Sequence, residues 1–154
     1  MSLFNKLLNK LINKNISIST AESCTGGLLA YSFLKYKYSS KVFKGGYITY
    51  SNELKINELN VKKNHINKYG AVSYQVAKAM LKGLYLKNKT RLCISTTGIA
   101  GPGGATKNKP VGLIYIGIRI NKKNIILKKK FKGTRIQIQK KCVSFIFKYL
   151  DQLI

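Results

Sequence analysis

Hydrophobic residues recur along the chain at spacings that predict five helices. After Ser2, which can cap a helix, apolar side chains lie three and four positions apart and lysines occupy the opposite side. An apolar run after Gly27 predicts a second helix to about Leu34. Further amphipathic patterns predict helices over residues 52–59, over 73–86 with Ser73 as the cap, and over 134–150.

Other segments alternate in polarity or form short apolar runs between turn residues. They predict strands over residues 16–19, 42–50, 91–97, 111–120 and 125–131, and the last two form a hairpin around residues 121–124. Residues 62–70 are predicted to be a polar connection. Strands mixed with helices favour an α/β fold, a single three-layer α/β/α domain with a mixed sheet over residues 1–154.

The hydrophobic fraction and the cysteines narrow the class of protein. Of the 154 residues 45% are hydrophobic, as in globular proteins. The longest apolar stretch, residues 111–118, falls short of the roughly 20 residues of a membrane span. The three cysteines are an odd number without CxxC spacing, which argues against a disulfide framework or a zinc site. We therefore expect a cytoplasmic protein without a membrane segment or a metal ion.

The formal net charge of +25 invites a nucleic-acid interpretation. Yet the only arginines are Arg91, Arg119 and Arg135, and arginine is the residue best suited to bidentate recognition of bases and phosphates. The lysines are spread over the whole length, and lysine has AT-rich codons. We favour mutational bias in an AT-rich genome as the source of the charge, and we do not expect specific nucleic-acid binding.

Residues 20–27 (TAESCTGG) carry the first candidate chemistry. Ser23 lies on a predicted strand-to-helix turn, where free N–H groups and the positive end of the helix dipole can stabilise an oxyanion. Gly26 and Gly27 allow a ligand to approach the backbone closely. Serine is also a common helix cap, so this segment alone does not distinguish a nucleophile from a structural residue.

Two other nucleophilic arrangements are weaker. Cys24 would need a base, and the only histidine, His65, lies in a predicted polar connection. We interpret Cys24 as a packing residue and His65 as a solvated loop residue. A single histidine also leaves little scope for a Ser–His–Asp triad.

Residues 47–55 (YITYSNELK) run from a predicted strand into a predicted helix and supply a candidate base. A partly buried Lys55 would have a lowered pKa and could accept the proton of a serine. The hydroxyl of Tyr50 could relay that proton or orient the lysine. We expect Ser23 Oγ, Lys55 Nζ and Tyr50 Oη to meet within hydrogen-bond reach, directly or through one water. The alternative is a surface lysine and a half-buried strand tyrosine.

A glycine-rich loop over residues 98–110 follows a buried strand. Its spacing fits neither the P-loop nor the GxGxxG pattern, but its backbone could cradle a polar or phosphorylated ligand. The candidate contacts in this segment are Thr97, Gly98, Gly101, Gly103 and Gly104. Arg135, at the start of the last helix, could pair with a phosphate or a carboxylate.

Taken together, these segments resemble the C-terminal domain of the CinA family. The resemblance rests on five stretches in the family's order and spacing and covers nearly the whole chain. They are residues 20–27, 47–55, 70–73, 97–104 and 109–112.

Stand-alone members of this family are nicotinamide-nucleotide amidohydrolases. The resemblance therefore implies an amidase that converts nicotinamide mononucleotide to nicotinate mononucleotide and ammonia in NAD recycling, with no cofactor and a tendency to form homo-oligomers. It implies catalytic roles for Ser23, Tyr50 and Lys55. It implies substrate binding by Glu22, Thr25, Gly26, Gly27, the residues of the glycine-rich loop and Arg135.

Two alternatives stay open. The chain could be a catalytically degenerate member of the family that keeps only ligand binding. A basic nucleic-acid-binding module agrees less well with the sequence, because the lysines are spread along the whole chain and the tyrosines lie in strand patterns.

Overall fold

The computed structural model describes all residues 1–154, which form six α-helices, five β-strands and one short 3₁₀ helix. The first half of the chain contains α1 (Leu3–Asn13), β1 (Ile18–Glu22), α2 (Leu28–Leu34), the 3₁₀ helix (Ser39–Lys41), β2 (Phe43–Ile48), α3 (Asn52–Leu59) and α4 (Lys63–Tyr69). The second half contains α5 (Tyr74–Asn88), β3 (Leu92–Gly98), β4 (Leu113–Ile120), β5 (Lys123–Lys130) and α6 (Arg135–Leu153).

The five strands form one mixed sheet in the order β2-β1-β3-β4-β5. Strands β2, β1 and β3 are parallel, and β4 and β5 continue the sheet in antiparallel fashion. All five residues of β1 are buried, as expected for a strand covered on both faces. The chain runs from β1 to β2, its neighbour on one side in the sheet, and then crosses to β3, the neighbour of β1 on the other side. The carboxyl end of β1 is therefore a topological switch point, where ligands of open α/β sheets bind.

Helices cover both faces of the sheet, which confirms the predicted three-layer α/β/α fold. On one face, the apolar sides of α1, α2 and α6 pack with sheet residues into a core cluster of 23 buried residues. On the other face, α3, α4 and α5 contribute to a second cluster of nine. The predicted caps are present: Ser2 and Ser73 accept hydrogen bonds from the backbone N–H groups of Asn5 and Val76. No helix combines the length and the apolar character that crossing a membrane requires.

The structure corrects two predicted connections. Residues 63–69, expected to be a polar connection, form α4, whose only buried side chain is Ile66. A single apolar residue is too weak a pattern to predict a helix from the sequence. In the structure, Ile66 packs in the second cluster of nine buried residues, and this packing stabilises α4. The hairpin turn is also shorter than predicted. Asn121 and Lys122 both have positive φ, as in a tight two-residue turn that matches the twist of its strands.

Candidate active site

Ser23 lies at the carboxyl end of the central strand β1, in the turn that leads into α2. Its backbone N–H donates to the carbonyl oxygen of Thr96 in β3 (3.0 Å), which anchors the turn to the neighbouring strand. The side chain is nearly enclosed, with 7% of the residue exposed. The turn is tight: Gly27 has φ +98°, and a Cβ there would lie 3.0 Å from Ile48 Cδ1. Glycine is required for this approach of the turn to β2.

Lys55 projects from α3 into the space beside Ser23. Its Nζ lies 3.0 Å from Ser23 Oγ, 2.9 Å from the carbonyl oxygen of Thr49 and 3.2 Å from the carbonyl oxygen of Tyr50. The residue is 1% exposed, and no carboxylate forms an ion pair with it. Burial disfavours the charged form and lowers the pKa of Lys55 to about 8, and the neighbouring Cys24 opposes this only weakly.

The three contacts of Lys55 determine where its lone pair points when it is neutral. A neutral amine has two hydrogens and one lone pair, and backbone carbonyls can only accept hydrogen bonds. If the two hydrogens go to Thr49 and Tyr50, the lone pair faces Ser23 Oγ. This geometry suits proton transfer from a serine hydroxyl to a lysine amine.

Tyr50 does not take the position that the sequence suggested. Its contact with Lys55 is through the main-chain carbonyl, whereas its side chain is 61% exposed and its hydroxyl accepts a hydrogen bond from Arg135 Nη2 (3.0 Å). No direct hydrogen bond joins the Tyr50 hydroxyl to Ser23 or Lys55, so the expectation of a direct contact is wrong in its third member. The reason is that β2 ends at Ile48, so that Tyr50 lies in a connection and turns outward toward α6.

Arg135 closes the rim of the site from the start of α6. Its Nη1 donates to the carbonyl oxygen of Gly101 (2.8 Å) while its Nη2 donates to Tyr50. Both partners are uncharged, and no carboxylate pairs with this guanidinium. Its positive charge is therefore available to an anionic ligand.

Glu22 and Thr25, assigned to the substrate by resemblance, are buried and already bonded within the protein. The two carboxylate oxygens of Glu22 accept from the N–H groups of Leu29 (2.8 Å) and Ala30 (3.1 Å) at the start of α2. Thr25 Oγ1 donates to Glu22 (2.7 Å) and lies 2.8 Å from Thr96 Oγ1. Both side chains thus hold the turn around Ser23 in the structure, and their contact with substrate stays a prediction from the resemblance.

Gly26 and the glycine-rich loop divide into packing positions and exposed positions. The Thr97 hydroxyl donates to the carbonyl of Ala71 (2.8 Å), and a Cβ at Gly98 would overlap the β4 backbone, so both residues have a packing role; their contact with substrate stays a prediction. Gly101 is buried and binds Arg135 through its carbonyl. Gly26, Gly103 and Gly104 are exposed, and the N–H groups of the latter two donate no hydrogen bond within the chain.

Three residues of the site were missed by sequence reasoning. Thr49 and Thr96 contribute through main-chain carbonyls, for which a sequence carries no signal. Gln139 donates from Nε2 to the carbonyl of Cys24 (2.9 Å) and so supports the turn. It lies four positions after Arg135, on the same face of α6, and that spacing was the one available clue.

The side chains of Cys24 and His65 take no part in this arrangement. Burial raises the pKa of the Cys24 thiol to about 12, so that its reactive thiolate is disfavoured, and the residue packs in the larger core cluster as expected. His65 lies in α4, not in a loop, and its Nδ1 is buried without a hydrogen-bond partner. No three His, Cys, Asp or Glu side chains are grouped so that they could hold a metal ion.

Comparison with known proteins gives a family model, curated relatives and solved structures that agree with one another. The family model of the CinA C-terminal domain matches residues 1–154. A CinA-like protein of Fusobacterium nucleatum is 50% identical over 128 residues, which cover 83% of this chain and 31% of that protein. A protein of Clostridium botulinum (strain Langeland) whose name includes the words competence-damage inducible is 53% identical over 121 residues. These residues cover 79% of this chain and 30% of that protein.

Solved structures agree with the fold. The crystal structure of a competence-damaged protein (CinA) superfamily protein from Escherichia coli has a TM-score of 0.94 at 30% identity and covers 99% of this chain and 88% of that one. The competence damage-inducible protein A from Klebsiella pneumoniae also has a TM-score of 0.94, at 26% identity, with 97% and 93% covered. This chain spans about a third of the length of the curated relatives named above.

Proposed function

The chain belongs to the family of CinA C-terminal domains, and we propose that it is an amidohydrolase with Ser23 as the nucleophile and Lys55 as its base. The observation that carries this proposal is the 3.0 Å contact between Lys55 Nζ and Ser23 Oγ in a buried setting. The resemblance to stand-alone members supplies the substrate: the carboxamide of nicotinamide mononucleotide, converted to nicotinate mononucleotide and ammonia.

The first chemical step needs the neutral form of Lys55. With a pKa of about 8, roughly one molecule in ten carries the neutral amine at pH 7, which is a useful population for a general base. Ser23 Oγ attacks the amide carbon while its proton moves to Nζ. The carbon–nitrogen bond then breaks as Nζ returns that proton to the leaving ammonia, and an acyl-enzyme ester remains on Ser23.

The second step repeats the proton transfers with water as the nucleophile. Lys55 takes a proton from water as the resulting hydroxide attacks the ester carbon. The bond to Ser23 Oγ then breaks, Nζ returns its proton to Oγ, and the released carboxylic acid gives its own proton to solvent to become nicotinate. Negative charge on the carbonyl oxygen in both steps requires hydrogen-bond donors. The N–H groups of Cys24, Thr25 and Gly27 donate no hydrogen bond within the chain and lie in the turn beside Ser23, where they could serve this purpose.

A phosphate-bearing substrate is supported by the charge at the rim of the site. Arg135 binds only a carbonyl and a phenol, so its guanidinium can bind a phosphate in bidentate fashion without breaking an ion pair. The N–H groups of Gly103 and Gly104 could add further donors, as in other backbone cradles for anions. The start of α2, by contrast, is already filled by the Glu22 carboxylate, so we place the phosphate on the Arg135 side.

The test is the rate of ammonia release from nicotinamide mononucleotide by the wild type and by Ser23→Ala and Lys55→Met. We expect Lys55→Met to lower kcat by about 10²–10⁴-fold, the usual contribution of a general base, and Ser23→Ala to lower it at least as much. Ser40→Ala and Lys148→Met change exposed residues outside the site and should leave the rate unchanged.

The outcomes separate the alternatives. Equal rates in the wild type and Ser23→Ala would overturn the nucleophile assignment. Absence of turnover in every variant and in the wild type, with nucleotide binding intact by calorimetry, would favour the catalytically degenerate member of the family. Turnover of another pyridine amide but not of the mononucleotide would leave the Ser23–Lys55 chemistry standing and change the substrate.

A further inference from the structure

A large groove lies away from Ser23. It runs along α5 on the outer side of the helix layer, measures about 780 Å³, and is walled by the end of α3, by α4 and by the hairpin strands β4 and β5. A smaller groove of about 240 Å³ adjoins it at Tyr85 and Arg119, which line both. None of Ser23, Tyr50, Lys55 and Arg135 lines either groove, so this surface, which we call the α5 groove, is separate from the proposed active site.

The α5 groove carries uncompensated positive charge. Its lining contains no Asp or Glu and seven Lys or Arg residues, namely Lys62, Lys78, Lys82, Lys89, Arg91, Arg119 and Lys122. Arg91 and Arg119 donate only to uncharged oxygens. Glu58, the carboxylate beside the groove residue Leu59, is already paired with Lys87 (3.2 Å). An anionic partner would therefore meet no repulsion from the lining.

Two aromatic rings flank two of these charges along one face of α5. Tyr74 is 48% exposed at the start of the helix, Lys78 and Lys82 follow at intervals of four, and Tyr85 completes the face. The guanidinium of Arg119 lies over the Tyr85 ring at 3.9 Å from its centroid. At a rise of 1.5 Å per residue, the 15 residues of α5 make a helix about 22 Å long, and the groove follows this helix.

We propose that the α5 groove binds single-stranded nucleic acid without regard to sequence. A cationic groove that follows the phosphate backbone, with aromatic side chains on which bases stack, is the arrangement by which proteins hold single strands. Charge alone would also fit an acidic peptide, but carboxylate side chains do not stack on the exposed Tyr74 ring as bases do. A second copy of this chain is disfavoured as the occupant because it would bring a further charge of +25 against the groove.

The binding test compares two triple variants of equal charge. Lys62, Lys78 and Lys82 line the groove and are exposed; Lys37, Lys140 and Lys148 are exposed elsewhere. Each set is changed to glutamine, and binding of a fluorescein-labelled 12-nucleotide oligothymidylate is followed by anisotropy from 0.05 to 0.3 M NaCl. Loss of three phosphate contacts should lower the slope of log Kd against log salt by about 2 and weaken binding up to about a hundredfold at 0.1 M. Circular dichroism checks that both variants remain folded.

The control triple should keep the wild-type slope and bind within about threefold of the wild type. Equal losses in the two triples would overturn the proposal, because binding would then follow total charge rather than the groove.

Stacking distinguishes a nucleic acid from an acidic peptide. Tyr74→Ala should weaken oligothymidylate binding at least about fivefold, as loss of one stacked base does, whereas Tyr38→Ala, at an exposed tyrosine elsewhere, should have little effect. A 12-residue polyglutamate should compete poorly. Equal competition by polyglutamate together with no effect of Tyr74→Ala would assign the groove to an acidic protein. A wild-type dimer in sedimentation that the Lys62/Lys78/Lys82 variant abolishes would assign it to a second copy. Either result overturns the proposal.

Discussion

At the scale of single residues, one lysine is unlike all the others. Of the 29 Lys and Arg residues, only Lys55 is buried, and it has backbone carbonyls and a serine as partners instead of a carboxylate. A carboxylate would stabilise the ammonium form and raise the pKa of the lysine, whereas burial without one lowers it. The protein thus keeps a base of near-neutral pKa in a chain whose other cationic side chains all contact solvent.

The pKa of Lys55 predicts the pH dependence of the proposed reaction. Because the neutral amine is the active form, kcat/KM should rise about tenfold per pH unit below pH 8 and level off above it. The profile is best measured from pH 7 to 9.5, above the second pKa of the substrate phosphate near 6. Residual activity of Lys55→Met should be flat over this range. A wild-type profile that falls with pH would contradict the assignment of Lys55 as the base.

Tyr50 offers a test of a positioning role against a relay role. The structure places its hydroxyl on Arg135, so Tyr50→Phe removes one hydrogen bond that orders the guanidinium. We expect KM to rise about two- to tenfold, the value of one hydrogen bond, with kcat changed by less than about twofold. Tyr38→Phe is the matched control at an exposed tyrosine. If the hydroxyl relayed the proton, kcat would instead fall by about a hundredfold or more.

At the scale of elements, the site depends on three parallel strands ending at one edge of the sheet. Ser23 follows β1, Thr49 and Tyr50 follow β2, and Thr97 lies near the end of β3. Hydrogen bonds across these ends connect the proposed nucleophile to its proposed base: the Thr49 N–H donates to the Glu22 carbonyl (2.9 Å), and the Thr49 carbonyl accepts from Lys55 (2.9 Å). The distance between Ser23 and Lys55 is therefore set by sheet pairing rather than by flexible loops.

Close packing of α3 against α5 gives a prediction about stability. A Cβ at Gly83 would lie 1.9 Å from the carbonyl oxygen of Leu59, so Gly83→Ala must push the two helices apart. We expect a loss of about 2 kcal/mol in the free energy of unfolding, measured by urea denaturation. Gly103→Ala is the control, since a Cβ there meets nothing within 4 Å, and it should change stability by less than about 0.5 kcal/mol. Equal stability of the two variants would contradict the packing.

At the scale of the whole molecule, the charge of +25 is balanced by very few ion pairs. Asp151 binds Lys6 and Lys10, and Glu58 binds Lys87. The Asp151 carboxylate keeps a lowered pKa because of hydrogen bonds from Lys10 and, to a smaller extent, Lys6. Most lysines have no anionic partner, so self-repulsion opposes folding throughout the surface.

This repulsion predicts that salt stabilises the protein. Raising NaCl from about 0.05 to 0.5 M shortens the screening length several-fold and should increase the free energy of unfolding by about 1 kcal/mol, or Tm by about 2–4 °C. Differential scanning calorimetry measures this directly. Sodium chloride is the suitable salt because sulfate also stabilises by exclusion from the protein surface. A Tm that is flat or falls with salt would show that the unpaired lysines do not repel one another appreciably.

The sequence by itself indicated five of the six helices, the five strands and the layered fold, because these follow from local periodicity and caps. It also indicated the chain positions of Ser23, Lys55, Arg135 and the glycine-rich loop. It missed α4, where one buried isoleucine is too weak a pattern. Sequence patterns report each segment's own preference, and that preference is strong wherever an apolar face repeats over several turns.

Only the tertiary structure decided which of these residues meet. It placed Lys55 against Ser23, turned Tyr50 toward Arg135, enclosed Glu22 and Thr25 within the turn, and gathered dispersed cations into the α5 groove. The first and third of these outcomes depend on main-chain carbonyls and N–H groups, which every residue carries and which no sequence pattern distinguishes. The second depends on a side-chain hydrogen bond between two segments far apart in sequence. The fourth, the α5 groove, depends on which lysines lie on the same helix face as the tyrosines and on how the neighbouring elements leave that face exposed to solvent.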